Sequence, residues 1–206
     1  MAGILEDAAR LLEAWHLPPD PDIRKFRVSD AGKCLRMRYF KRMEPKGTQN
    51  GGSNGRQMMG TLFHEWLEAE IGRELRRGLV GTEIPVEDEH RIGHIDMLIA
   101  RDGELVVVDI KTVTHTLASK LVASPPVPYM HQAATYASMV GANSAEILFL
   151  DKDTLDRIPV PVPRECWELA RKDWERLFDC WVSGTVPEMT ENRSECQRCP
   201  WISECR

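Results

Sequence analysis

The chain has no apolar run approaching the roughly 20 residues that a spanning helix requires, which excludes a membrane segment of that kind. Its start, MAGILEDAARLLEAW, is acidic and amphipathic and lacks the basic opening and apolar run of a secretory signal. A cytoplasmic location is therefore expected. No internal repeat is evident, so solenoid and propeller architectures are set aside. An excess of positive charge is also missing: the net charge is −5, which argues against a protein that coats nucleic acid uniformly. What remains is a chain of 206 residues, 42% hydrophobic, able to build one sizeable core.

The richest stretch is RIGHIDMLIARDGELVVVDIKTVT, residues 91–114. Two β-rich apolar runs flank Asp102-Gly103, the sequence of a type I′ hairpin turn. With those two residues as the loop, cross-strand partners carry numbers summing to 205, so Asp96 faces Asp109 and His94 faces Lys111. Facing carboxylates repel at Cβ separations of roughly 4.5–5.5 Å. A run reading LVVV gains nothing structural from them, whereas a divalent cation would turn repulsion into coordination. Lys111 lies two residues beyond Asp109 and shares its face. Two acids and a lysine on one face suggest metal-dependent phosphodiester cleavage. His94 either contacts a phosphate or fills a polar edge. In the same register, Ile95, Met97 and Ile99 join Val106, Val108 and Ile110 on the opposite, wholly apolar face.

The other elements follow from periodicity. Residues 3–15 read as an amphipathic helix ended by Pro18-Pro19. Residues 24–46 carry nine Lys/Arg against Asp30 and Glu44, a local excess of seven positive charges, with Lys33, Arg36 and Arg38 among them. That patch is either a phosphate-contacting surface or a solvated basic helix, with Ser29 or Asp30 as its cap. GTQNGGSNG, 47–55, has almost no side chains that pack and reads as a loop ordered by a ligand or as a linker. Residues 58–77 form a strong helix on a stripe of Leu62, Phe63, Trp66, Leu67, Ile71 and Leu75, flanked by His64. His64 alone reads as a structural or surface histidine and becomes a ligand only if this helix packs beside the acidic hairpin. A strand near 83–86 precedes the hairpin. A helix over about 129–140 carries Gln132 and Tyr136 on one face, with His131 beside them. Then come a strand at 144–150, a proline-bearing edge segment, and a Trp-rich helix at 164–182. The order αβββαβ plus a helix implies an α/β sheet with helices on its faces.

The chain ends in Cys196-x-x-Cys199-Pro-x-x-x-x-Cys205, three thiols within ten residues, two of them at a chelating spacing, which indicate a metal or an iron–sulfur cluster. Cys34 is the better fourth ligand. Cys166 and Cys180, on the Trp-rich helix, suit a buried apolar role.

Taken together, Gly60-x-x-x-His64, Gly93-x-x-Asp96, Asp109-x-Lys111, Gln132-x-x-x-Tyr136 and the one-plus-three cysteines resemble the PD-(D/E)XK nucleases. The likeness is to RecB-type exonucleases with an iron–sulfur cluster, including the CRISPR-associated RecB-like family and its viral and phage counterparts. Asp109 stands where many relatives have Glu. The resemblance implies that His64, Asp96, Asp109 and the Ile110 carbonyl hold Mg²⁺ or Mn²⁺, with Lys111 acting on water and phosphate. It implies that Gln132 and Tyr136 steady the site and contact DNA. It further implies that Cys34, Cys196, Cys199 and Cys205 bind a 4Fe–4S cluster, with zinc as the alternative. The expected architecture is one nuclease domain over 1–206, with a catalytic core at 56–162. A helical, iron–sulfur lobe is then built from 24–46 plus 163–206. The implied activity is hydrolysis of single-stranded DNA ends, 5′→3′, in recombination, replication or CRISPR adaptation, within a prokaryotic or phage-infected cell. The rival reading is a non-catalytic iron–sulfur adaptor subunit that binds DNA.

Overall fold

A computed structural model describes residues 25–43, 66, 69–70, 78–190 and 196–205. The expected helix 3–15, the loop 47–55 and all but three positions of the helix 58–77, His64 included, lie outside the described residues. Of that last helix, Trp66, Ala69 and Glu70 are helical.

Six strands form one mixed sheet: β1 (Phe26–Arg27), β2 (Leu79–Glu87), β3 (Arg91–Arg101), β4 (Glu104–Val113), β5 (Ser144–Asp151) and β6 (Arg157–Pro161). Among the described residues, the helices described from end to end are α1 (Leu35–Met43), α2 (His115–Ala123), α3 (Val127–Met139) and α4 (Arg164–Ser183). The fold is α/β, as the sequence implies. The short helix α2, between β4 and α3, is not anticipated from it.

The hairpin turn is as expected. Asp102 and Gly103 both have positive φ, 53° and 86°, the signature of type I′. From that turn β3 and β4 pair from Arg101↔Glu104 to Met97↔Val108, always with numbers summing to 205. There the ladder stops. Asp96 and Asp109 are not a ladder pair, and neither are His94 and Lys111, which corrects the expectation at the two positions that matter most.

Beyond the break β3 finds another neighbour. Ile92 pairs with Glu87 of β2 and with Arg27 of β1 at once, so β1 and β2 lie on opposite edges of β3. The edge that β4 leaves at Met97 is thus taken up again by β1 at Ile92. Gly93 to Asp96 line the gap between them.

Tyr136 enters this gap. It projects from α3, whose Ala133 and Ala137 pack into the sheet's helix-covered core with Val107, Ile147 and Phe149. Small residues on that helix face let it approach the sheet closely. A Cβ on Gly93 would lie 2.6 Å from the Tyr136 hydroxyl and 2.8 Å from its Cε1. Gly93 is therefore required by the tyrosine ring, which gives a physical reason for the glycine in Gly93-x-x-Asp96. The opposite face of the sheet buries Met97, Ile99, Val106, Val108, Ile110, Leu148 and Leu150. Ile95, expected there, packs with Leu98 on the helix-covered face instead.

Among the described basic residues of this segment, one is a core residue. Arg38 is 2% exposed. It is ion-paired with Asp173 of α4, and its guanidinium lies 3.9 Å from the Trp174 ring centroid. Asp30 is buried and accepts from Lys33, at 2.9 Å, and from Lys41, so its carboxylate serves ion pairs and not the expected cap. Arg42 stacks on Phe26 and Trp181. Phe26, Tyr39, Trp174 and Leu177 form the apolar cluster that joins β1 and α1 to α4. Burial of α4 follows its expected stripe at Ala170, Trp174 and Leu177.

Gly93→Ala should destabilise the protein by about 1–3 kcal/mol through this clash. The effect should be strongly non-additive with Tyr136→Ala, which removes the ring; a urea-unfolding double-mutant cycle checks it, and additive losses would show that the contact is not the cause.

Candidate active site

Asp109 and Lys111 project from β4 on its helix-covered face, two residues apart. Asp109 is 1% exposed, and its Oδ2 lies 2.7 Å from the Lys111 ammonium. Asp96 comes from the other strand, at the point where the ladder has stopped. In a continued register Ile110 would exchange both backbone hydrogen bonds with Ile95. Instead the Ile110 N–H donates to Asp96 Oδ2 at 2.6 Å. A side-chain carboxylate has taken the place of a backbone carbonyl. The N–H and C=O of one strand residue point to the same edge, so the Ile110 carbonyl is directed toward this gap as well.

From α3, Tyr129 places its ring centroid 5.2 Å from the Lys111 Nζ. The Tyr136 hydroxyl accepts from the His94 N–H and bonds to the Gln132 side chain. The structure therefore brings Asp96, Asp109, Lys111, Ile110, Gln132 and Tyr136 around one gap in the sheet. His64 lies outside the described residues. Tyr129 was not singled out from the sequence, although its spacing to Gln132 and Tyr136 puts all three on one helical face.

Charge in this site does not balance. Two carboxylates face one ammonium at low exposure. Burial, then the neighbouring charge of Asp109, raises the Asp96 carboxyl to about 8, against the pull of Lys111 and the Ile110 N–H. Lys111 loses to burial but gains more from Asp109 and Asp96, and stands above its ordinary value. Burial and both carboxylates also raise the Tyr136 phenol, which stays neutral and able to donate. A proton on Asp96 cancels the excess negative charge; so does a cation, and oxygen donors from Asp96, Asp109 and Ile110 suit a hard one such as Mg²⁺ or Mn²⁺. Among the described residues no three His, Cys, Asp or Glu side chains are placed to hold a single ion. Any such ion thus needs a ligand beyond the two acids.

The basic residues expected on DNA are differently placed. Arg38 is a core residue with a side chain 1% exposed, so it has no surface to offer a phosphate. That corrects the surface reading, since counting charges along the chain cannot see burial. Arg36 is spent on carbonyls, donating to Pro187 O at 2.7 Å and Cys205 O at 3.3 Å. Lys33 keeps 40% of its side chain exposed beside Asp30.

A second cluster lies at the C-terminus. Cys34, Cys196, Cys199 and Cys205 all line one small cavity, together with Met37 and Ile202. An adjoining hollow of about 410 Å³ shares Cys34, Cys196 and Cys205. Burial pushes the Cys205 thiol up, as do Cys199 and Cys34, while Arg36 pulls it down. Cys166 and Cys180 take no part in this cavity.

Comparison with known proteins agrees with this geometry. The structure resembles the protein SSO0001, with a TM-score of 0.62 and 16% identity, covering 100% of this chain and 96% of that one. It also resembles an alkaline exonuclease from Laribacter hongkongensis (TM-score 0.58, 11% identity, 85% of this chain and 93% of that one). A phage-related exonuclease from Haemophilus somnus 129PT gives a TM-score of 0.50 at 13% identity, over 84% and 99% of the two chains. At such identities the likeness is one of fold. No curated protein sequence matches the chain significantly. The sequence pattern of one family does match, over residues 69–206, a span that holds the hairpin, the Gln132/Tyr136 helix and three of the four clustered cysteines. The chain belongs to the PD-(D/E)XK nuclease superfamily.

Proposed function

We propose that the protein is a metal-dependent DNA exonuclease acting on single-stranded ends with 5′→3′ polarity, in recombination, replication or CRISPR adaptation. The observation that carries this reading is the convergence of Asp96, Asp109 and Lys111 where the β3–β4 ladder ends. The exonucleases among its structural neighbours support the reaction class. Asp96, Asp109 and the Ile110 carbonyl, with His64, would hold Mg²⁺ or Mn²⁺, and that ion would supply a nucleophilic water at neutral pH and counter-charge for the phosphate.

The remaining work falls to the chain itself. Lys111, kept protonated by Asp109, presents a fixed positive charge in a site of low exposure, where it favours a developing phosphorane charge. Its ammonium can also orient a water by donation. Tyr136 and Gln132 form a hydrogen-bonded pair over the gap and serve to position DNA there. Burial and Asp109 push the Asp96 carboxyl up, so a bound cation would compete with a proton there.

We also propose that Cys34, Cys196, Cys199 and Cys205 bind a 4Fe–4S cluster, in a lobe formed by 24–46 and 163–206 beside a catalytic core at 56–162. In support, the four cysteines line one cavity, and a Cys-x-x-Cys pair with two further thiols suits a cluster, with zinc as the alternative. Its role is structural, tying α1 to the C-terminal segment, as Arg36 does through Pro187 and Cys205.

Asp109→Ala and Lys111→Ala should each lower Mn²⁺-dependent release of nucleotides from end-labelled single strands by at least about a hundredfold. A 5′ label should leave first; full activity in either variant would sink the assignment. The Asp96 shift sets a pH dependence. An unfolded chain releases this proton near 3.8 and the folded one near 8, so without metal this group's stabilising effect declines as pH rises between those values. Mn²⁺ competes with the same proton, so its apparent affinity should rise about tenfold per pH unit below about pH 8. Thermal shifts with Mn²⁺ at pH 6.5, 7.5 and 8.5 measure this, and a pH-independent shift in that range contradicts it. Finally, protein purified without oxygen should absorb visible light, and Cys199→Ala should bleach it while leaving the Mn²⁺ response intact. A colourless protein containing zinc would replace the cluster with the alternative.

A further inference from the structure

The position of Asp96 depends on its neighbour in β2 as well as on β4. β2 and β3 keep one register from Gly81↔Leu98 to Glu87↔Ile92, and in it the residue facing Asp96 is Glu83. No ladder pair forms there, although Thr82↔Met97 and Ile84↔Ile95 flank the position on either side. Glu83 has φ +46°, left-handed backbone inside a strand at a residue that has a Cβ. The faces of the sheet also change at this point. Met97 packs on one face, and Ile95, two residues away, packs on the other beside its partner Ile84. Regular strands keep i and i+2 on one face. The two-strand ribbon therefore turns over at Glu83 and Asp96 together. Without that turn, the Asp96 side chain would stand out from the sheet face; with it, the carboxylate lies at the strand edge, bonded to the Ile110 N–H.

The side chain of Glu83 is exposed. It does not complete a ligand set, because no three acids or other donors among the described residues are placed to hold an ion. Its carboxylate adds only the smallest of the pushes that raise the Asp96 carboxyl, and its main contribution is backbone shape. We propose that Glu83 is a positioning residue whose left-handed backbone turns the β2–β3 ribbon over and delivers the Asp96 carboxylate to the metal-binding gap. The proposal rests on the nuclease reading above for its functional consequence, though not for its structural one.

Three substitutions separate backbone from side chain. Glu83→Gly accepts positive φ without strain, and Glu83→Gln keeps the backbone preference while removing the charge. Glu83→Thr, polar and suited to an exposed strand position, is β-branched and resists positive φ. Gly and Gln should bind Mn²⁺ as the parent protein does, within about threefold, whereas Thr should bind about tenfold more weakly. A metal-free readout accompanies this. Straightening the ribbon brings the Asp96 and Asp109 Cα atoms toward the roughly 4.5 Å spacing of a non-hydrogen-bonded pair. A nuclear Overhauser contact between their α-protons should therefore appear in Glu83→Thr and be absent from the parent, Gly and Gln. Equal Mn²⁺ binding by Thr and parent would overturn the proposal, as would a loss in Gln as large as that in Thr. Should Thr fail to fold, a loss of Mn²⁺ binding in Glu83→Gly alone is enough to overturn it. If the parent binds Mn²⁺ and shows the expected contacts yet degrades no DNA, the nuclease reading fails and the positioning role stands.

Discussion

Two carboxylates that cannot sit opposite one another in a regular sheet determine the shape of everything around them. The β3–β4 ladder runs without fault from the turn to Met97↔Val108, and the next pair would set Asp96 against Asp109. The sheet avoids this by parting. Asp96 takes over the Ile110 N–H, so the break leaves that backbone donor satisfied, and an edge of β3 opens between β4 and β1. An open edge inside a sheet exposes backbone polar groups that must find partners. Here Tyr136 supplies one of them, accepting from the His94 N–H, and Gly93 leaves room for its ring. The Gly-x-x-Asp and Gln-x-x-x-Tyr motifs are thus two halves of one structural solution.

The electrostatics follow from the same break. Bringing two acids into a gap of low exposure is costly unless charge is supplied, and Lys111 neutralises only one of them. The excess appears as a proton on Asp96, whose carboxyl is raised to about 8 by burial and by Asp109. A bound cation would relieve the same excess of negative charge. Left-handed backbone at Glu83 and the displaced register are local strain of the kind that collects at functional sites, at about 1–3 kcal/mol for each such residue. The extensive cores on both faces of β4 make that strain tolerable.

Much of this was legible in the sequence, for reasons that differ from residue to residue. The Asp102-Gly103 turn defines the register, because a two-residue loop with two positive φ values leaves no freedom in strand pairing. Lys111 follows from alternation, and the stripe of α4 from helical spacing. The pairing rule fails at Asp96 because it assumes regular strands, and β3 departs from regularity there, opposite the left-handed Glu83 of β2. Ile95 goes to the unexpected face for the same reason. The surface reading of the charge in residues 24–46 fails at Arg38, which is buried. Arginines stack on aromatic rings as readily as they meet phosphates, and Arg38 and Arg42 found Trp174, Phe26 and Trp181. A count of positive charge does not distinguish the two uses; the tryptophans of α4 are the hint that it does not weigh.

That internal use of arginine bears on how the two ends of the chain are held together. α1 meets α4 through Arg38, Asp173 and Trp174, all at low exposure, and meets the C-terminal segment through Arg36 and the cysteine-lined cavity. Breaking a buried pair by removing one partner leaves an uncompensated charge, so the first of these contacts resists loss. The second is made from backbone carbonyls and a thiol-lined cavity, with Met37 and Ile202 in its wall. A ligand bridging the four cysteines would reinforce that junction. β1, which closes the far end of the active-site gap, packs through Phe26 against Trp174, Phe178 and Trp181 of α4. Anything that loosens α4 also loosens β1, and with it the edge against which the Gly93–Asp96 segment is held.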